Sequence, residues 1–218
     1  MMDMFSSVAP RYDLMNDLTS LGLDHSWRQH AVDALSPAIG QIVLDLAAGT
    51  GTSSTPIARS GATVIATDLT EAMLRVGQRH HRDCTFVVGD ALKLPYADGS
   101  FDSANISFGL RNVADPGAAL TELARVVRPG GTLVICEFSK PTSPLIRLAY
   151  RLWLRVAIPI VSKIVASNAP AYTYLSESIL DWPDQRGLAL MLEAAGWSQI
   201  QWRNLTGGIV ALHRAVRP

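Results

Sequence analysis

Short apolar runs alternate with amphipathic stretches over the first 140 residues of the chain. The runs Ile42–Ala47, Ala62–Thr67, Thr85–Val88, Phe101–Ser107 and Thr132–Phe138 are rich in β-branched residues and end in Gly, Asp or Pro turns. That pattern predicts strands buried on both faces. Between them lie helical patterns over Ser53–Ser60, Glu71–His81 and Pro116–Val127. Gly61 stops the first, Thr70 can cap the second, and Asp115 precedes a proline just inside the third. Strand and helix in strict alternation predict a parallel sheet with helices on both sides. Residues 1–39 read as helical and lie ahead of the first strand.

The rhythm changes after Phe138. Residues Leu145–Ala166 form one long helical pattern, interrupted near Pro159. A helix over Gln185–Ala195, ended by Gly196, precedes two closing strands, Ser198–Asn204 and Ile209–His213. The Gly207-Gly208 pair between those strands is a hairpin signal. The expected organisation is one domain: a helical cap (1–39), a ligand-binding core (40–140), a helical insertion forming a lid over the carboxyl edge of the sheet (141–184), and a last helix with its hairpin (185–218).

Composition narrows the classes of function. Nineteen basic residues balance 19 acidic ones in 218, so no overall field draws the chain to nucleic acid. Hydrophobic content is 48%, yet no apolar window of about 20 residues could span a bilayer. Cys84 and Cys136 read as reduced thiols, with no metal-binding spacing. The start of the chain carries no signal-peptide pattern, which sets the expectation of a cytosolic enzyme.

Candidate chemistry gathers at the predicted strand ends, where open α/β sheets bind ligands. The run Leu44-Asp45-Leu46-Ala47-Ala48-Gly49-Thr50-Gly51 joins a strand to a helix through a Gly-x-Gly turn. Gly49 and Gly51 allow a backbone to approach a nucleotide-type ligand closely. A carboxylate at Asp45 would repel a pyrophosphate and attract a cation. S-adenosylmethionine, with its sulfonium, is a cofactor of that kind. Asp68 ends the second strand and can accept both hydroxyls of a ribose. Asp90-Ala91 follows the third and suits an adenine; Ser107 ends the fourth, near the methionine end. A nicotinamide-dependent oxidoreductase is the rival reading, since Gly49-x-Gly51-x-x-Ser54 is a dinucleotide fingerprint lacking its last glycine.

Several longer motifs resemble one family. Met4-Phe5-x-x-Val8-Ala9-x-x-Tyr12-Asp13-x-Met15-Asn16, Ile106-Ser107-Phe108-Gly109-Leu110-Arg111-Asn112-Val113, Arg125-Val126-x-Arg128-Pro129-Gly130-Gly131 and Asn204-Leu205-Thr206-Gly207-Gly208-Ile209-Val210 are similar to signatures of the ubiquinone/menaquinone biosynthesis C-methyltransferases. The resemblance covers nearly the whole chain. It implies a Rossmann-like class I methyltransferase fold, with a seven-stranded, mostly parallel sheet. It also implies methyl transfer from S-adenosylmethionine to a ring carbon of a polyprenyl quinol, with Thr50, Asp68, Asp90, Ala91 and Ser107 as cofactor contacts. The short chain and its Ala-Ala-Gly-Thr-Gly turn favour demethylmenaquinol over a benzoquinol. Thr52 stands where the family usually has an acid. His25 lies one place beyond a histidine of the family's first signature, a place that Asp24 fills here.

Carbon methylation needs the ring carbon, methyl and sulfur aligned, and gains from a group that stabilises a phenolate. Arg111 and Asn112, just past the fourth strand, are the expected catalytic pair, with His25 a further candidate. Arg147, Arg151 and Arg155 recur every four residues and share a helix face beside Leu145, Leu148 and Leu152. That basic and apolar segment, 145–166, predicts peripheral contact with an anionic membrane. The sequence leaves a homodimer open. Alternatives to quinol methylation are another small-molecule methyltransferase and a non-catalytic scaffold subunit of the same fold.

Overall fold

A computed structural model describes residues 16–17, 20–157 and 169–218. Seven strands form one sheet: β1 (Ile42–Leu46), β2 (Thr63–Asp68), β3 (Thr85–Val88), β4 (Phe101–Ser107), β5 (Val127–Phe138), β6 (Ser198–Leu205) and β7 (Val210–Val216). Their order is β3-β2-β1-β4-β5-β7-β6. The strands β1 to β5 pair in parallel, and β7 is antiparallel to both β5 and β6. The chain winds outward from β1 to β3, then returns to the other side of β1 to lay down β4. The order therefore reverses between β1 and β4, and that is where a crevice opens at the carboxyl edge.

Side chains of the central strands alternate between two cores, as the two-residue strand period requires. Leu44, Leu46 and Ile106 pack on one face against α4 (Pro116–Val126) and α7 (Gln185–Ala194). Val43, Val64 and Val134 pack on the other, where Trp27, Ala31 and Leu35 of α1 (Leu23–Leu35) cover the sheet. Two short elements flank the first turn: α2 (Ser54–Ala58) and α3 (Glu71–His80). Asp115 caps α4 through Ala118 N at 3.0 Å, and Asp184 caps α7 through Gly187 N at 2.9 Å.

The predicted elements of the core recur within a few residues. Differences have local causes. Strand β5 starts at Val127, not Thr132, because Gly131 lets the chain run tight against β4: a Cβ there would lie 2.6 Å from the Asp102 carbonyl oxygen. Within the long helix expected over 145–166, the described part is α5 (Pro144–Leu152), which widens into one π-type turn at Trp153–Ala157. Pro159 lies outside the described residues, as does most of the Tyr12-Asp13 motif. Within the helical insertion expected over 141–184, no separate helix was placed at 169–181, where α6 (Ala169–Asp181) lies. Its Leu175 and Ile179 pack against Tyr150, Trp153 and Leu154, a tertiary contact that no local periodicity announces. The hairpin glycines sit in a 3₁₀ turn, Thr206–Gly208, with all three residues at positive φ (47°, 65° and 91°).

The glycine turn after β1 is backed by α3 through a single ring. Phe86 of β3 lies where Cβ atoms on Gly77 and Gly51 would fall, 2.5 and 2.9 Å away, and a Cβ on Gly77 would also meet the Thr50 carbonyl oxygen at 2.8 Å. Gly77→Ala should therefore cost about 1–2 kcal/mol, despite alanine's better helix propensity, because the extra methyl overpacks the contact. Urea denaturation of the variant checks this, and an unchanged midpoint would contradict the packing.

Candidate active site

The ends of β1 and β4 are both broken by residues in the left-handed region. Ala47 has φ 53° and Phe108 has φ 59°, neither a glycine. The two turns touch: a Cβ on Gly109 would lie 2.4 Å from that of Ala47. Such conformations cost about 1–3 kcal/mol each and persist where surrounding structure holds them. Here the amides are held by Ala48 N donating to Thr67 O (3.1 Å) and Phe108 N donating to Cys136 O (2.8 Å). Both chains thus turn aside together and leave a cavity of about 310 Å³ at the switch point.

That cavity brings together Gly49, Asp68, Asp90, Ala91 and Asn112 of the expected residues, with Leu69, Met73, Leu92 and Phe108 as apolar walls. Asp68 links two elements at its floor. Its Oδ2 accepts from Gly49 N (2.9 Å) and its Oδ1 from Thr70 N (2.7 Å), at the start of α3. The Thr70 side chain and the Leu69 amide also bond to this carboxylate, and a ligand hydroxyl would share its oxygens with them. Burial pushes the Asp68 carboxyl upward from its ordinary value, with the backbone amides opposing the shift. Asp90 is exposed, and its Oδ1 accepts from Leu92 N at 2.9 Å, which fixes the turn. Asn112 Oδ1 accepts from the Tyr174 hydroxyl (3.1 Å), tying α6 to the cavity wall.

The lining holds two carboxylates and no lysine or arginine among the described residues. A ligand carrying phosphates would meet like charge there, whereas a cationic one would be attracted. Asp68 beside the glycine turn, apolar walls and a neutral far side fit S-adenosylmethionine.

Six expected residues lie off this wall. Asp45 is 1% exposed, beneath the turn, where it accepts from Ser54 Oγ (2.5 Å) and Asn105 Nδ2 (2.7 Å). It braces β1, β4 and α2 rather than facing a ligand, and burial raises its pKa. Gly51 meets Phe86, as described above, so its missing side chain serves packing. Thr50 is buried beside Thr52 (Oγ1 to Oγ1, 3.2 Å), and Ser107 is buried against Asn105. Arg111 points inward: its guanidinium donates to Phe108 O (2.6 Å) and Glu137 Oε1 (2.8 Å), with side chains only 6% and 1% exposed. Its charge is already matched by Glu137, so the free phenolate-stabilising arginine expected from the sequence is instead half of a buried ion pair. His25 is on α1, 63% exposed, and pairs with Asp17 at 2.8 Å, away from the cavity lining.

The sequence assigned no role to Glu137, Asn105 or Arg28. Each sits within a run that looked like ordinary strand or helix. Arg28 is buried, donates to Ser53 Oγ at 2.6 Å, and lies over the Phe108 ring at 5.2 Å. Its only sequence signal was Asp24 one helical turn earlier, at 3.6 Å in the fold.

Sheet order, the antiparallel β7 and the donor-side cavity define the class I S-adenosylmethionine-dependent methyltransferase fold. Solved structures share it: a methyltransferase from Thermotoga maritima superposes with a TM-score of 0.70 over 100% of both chains, at 18% identity. A methyltransferase complexed with its Trm112 activator from Haloferax volcanii gives 0.71 over 98% of this chain and 97% of that one, at 17% identity. Residues 1–217 match the ubiE/COQ5 methyltransferase family, and the chain belongs to it. Curated relatives include the demethylmenaquinone methyltransferase of Mycobacterium sp. (strain KMS), 56% identical over 99% of this chain and 93% of that protein. That of Paenarthrobacter aurescens (strain TC1) is 54% identical over 99% of this chain and 85% of its own length.

Donor binding should weaken on acidification from a pH above the usual carboxylate range, because Asp68 takes up its proton early and then loses acceptor capacity. Asp68→Asn should lower donor affinity about tenfold or more and flatten that pH dependence. Calorimetric titration across pH 4–8 tests both; a pH slope surviving in the variant would assign it elsewhere.

Proposed function

We propose that the protein methylates a ring carbon of a polyprenyl quinol, demethylmenaquinol in the first instance, with S-adenosylmethionine as donor. The observation that carries the reading is the acidic cavity at the β1/β4 switch point, with no lysine or arginine in its lining among the described residues. The demethylmenaquinone methyltransferase activity of relatives at 52–56% identity supports the acceptor. When bound, the donor supplies an electrophilic methyl on a cationic sulfur, and the acceptor carbon gives up one proton in exchange.

The chain's own residues bind and align. Gly49 presents backbone and Asp68 takes the ribose hydroxyls. Asp90 and Ala91 border the adenine, while Asp45, Thr50, Gly51 and Ser107 hold the turns that shape the pocket. Asn112 is the polar group on the acceptor side, positioned by Tyr174, and can hold a ring hydroxyl. Arg111 acts from behind, through the Glu137 pair. Alignment of this kind can supply effective molarities of about 10⁵ M or more. His25 takes no part in this scheme.

The segment 141–184 acts in this reading as a lid, and its outer surface supports membrane contact. Among the described residues no helix is long and apolar enough to cross a membrane. On α5 and the following turn, Leu145, Leu148, Leu152 and Val156 are 77%, 57%, 56% and 52% exposed. They line one face beside the exposed Arg151 and Arg155, and no acidic residue falls between Glu137 and Glu177. An exposed apolar stripe edged by arginines suits an anionic bilayer surface.

Transfer of label from methyl-labelled S-adenosylmethionine to a prenylated naphthoquinol is expected, and should fall at least a hundredfold in Asn112→Ala. Absence of transfer from the unaltered protein, with donor bound, would refute the acceptor assignment. Binding to phosphatidylglycerol vesicles should fall about tenfold or more in the Arg151→Glu/Arg155→Glu variant, while phosphatidylcholine vesicles bind neither form well. Equal sedimentation of both forms would exclude this surface.

A further inference from the structure

A second cavity, also about 310 Å³, lies between the start of α1, α5, α6 and the hairpin turn. Three packed rings close it off from the donor cavity. Phe108 lines the donor side; Trp27 and Phe138 line the second cavity. Ring centroids are 5.1 Å apart for Phe108–Phe138, 5.9 Å for Trp27–Phe108 and 6.4 Å for Trp27–Phe138. Whatever enters the second cavity is therefore kept from the donor methyl, and the acceptor ring is not its occupant.

The hydroxyls of the wall are withdrawn from this space. Thr206 Oγ1 accepts from Trp27 Nε1 at 2.8 Å, and Ser20 Oγ donates to Asp24 Oδ1 at 3.1 Å. The Tyr150 hydroxyl is shielded from solvent and has no hydrogen-bond partner among the described residues. It lies within the field of Arg111 and Glu137, behind the wall. The rest of the lining is aliphatic side chains and aromatic rings. A hydrocarbon suits such a space, since it asks for no hydrogen bond and gains by leaving water.

The mouth opens onto exposed apolar surface. Leu21 and Leu23 line one side of it, Ile146 and Ala149 the other, and all four are exposed. At about 3.6 residues per turn, Ala149 falls beside Leu145 and Leu152 on α5. The rim therefore runs into the outer apolar stripe, and Arg151 and Arg155 border that stripe on its far edge. The acids near the opposite rim are already met: Asp17 pairs with His25, and Asp24 with Arg28. Around the mouth the surface is thus apolar, then basic, which complements an anionic lipid layer.

We infer that the second cavity takes one acyl chain of an anionic phospholipid, drawn from the bilayer against which α5 rests. This rests on the membrane contact proposed above. The chain passes between the two sides of the mouth and runs along Trp153, Leu175 and Ile179, while the head group stays outside. Each methylene buried favours the bound state about fourfold. A chain that fills the cavity therefore holds α1 and α5 to the membrane more firmly than the outer stripe alone. The lipid is a detachable anchor and takes no part in methyl transfer.

The test is calorimetric titration of the full chain with lysophosphatidylglycerols, kept below their micelle concentrations so that no bilayer is present. Binding should be one-to-one and should tighten about tenfold for each two-carbon step over chains of roughly 8 to 12 carbons. Ala149→Phe, at an exposed position, narrows the mouth, and Leu175→Trp fills the cavity from the opposite wall. Each should weaken the longest ligand about tenfold or more and leave S-adenosylmethionine affinity unchanged. No binding by the unaltered protein, as when a segment of this chain or a second copy occupies the space, would overturn the inference. So would lysolipid binding left unchanged by either substitution in a variant that still binds S-adenosylmethionine. Vesicle sedimentation separates the chain site from the contact it rests on. Vesicle binding without lysolipid binding keeps the contact and refutes the site, whereas lysolipid binding without vesicle binding refutes the contact and keeps the site.

Discussion

Both oxygens of the Asp68 carboxylate are held by backbone amides from elements that would otherwise be free to part. Gly49 N belongs to the turn that leaves β1, and Thr70 N to the start of α3. The charge that holds these loops in place is also the charge that faces the cavity. It also lines the cavity, so the same group that closes the fold can bind hydroxyls. Around it, Phe86 presses α3 onto the glycine turn, and Asp45 braces the turn from below through Ser54 and Asn105. The cavity is preorganised because its polar groups are fixed by the fold before any ligand arrives.

Charge is sorted with the same economy. Arginines approach the site only from behind aromatic rings, Arg28 over Phe108 and Arg111 over Phe138. The second of these is neutralised by Glu137 in a pair with almost no exposure. Removing one partner of such a pair leaves an uncompensated buried charge, costing about 3–5 kcal/mol. The donor cavity keeps its acidic character because no cation reaches its surface among the described residues.

Much of this was legible from residue order. Alternating short apolar runs and capped helices located β1 to β4 and α4 closely, because burial on both faces leaves a strong local pattern. Asp68, Asp90 and Asn112 line one cavity because loops after parallel strands converge at one edge. What failed depended on direction rather than position. Asp45 and Arg111 stand at the expected places in the chain, but their side chains turn into the protein, where Ser54, Asn105 and Glu137 receive them. Partners 9, 60 and 26 residues away leave no trace in local spacing. Helix α6 was missed for the same reason, since its apolar face is defined by α5 and not by its own periodicity. Tyr150 gave no signal at all, because an unpaired hydroxyl is visible only when its surroundings are known.

Charge chooses the ligand at the β1/β4 crevice, and affinities of the unaltered protein for S-adenosylmethionine, its neutral-sulfur by-product S-adenosylhomocysteine, and NAD, measured at low and moderate salt, decide whether it does. Both sulfur compounds should bind and the pyrophosphate-bearing dinucleotide should not. Tight binding of NAD, or its displacement of S-adenosylmethionine, would show that the two carboxylates do not select the ligand.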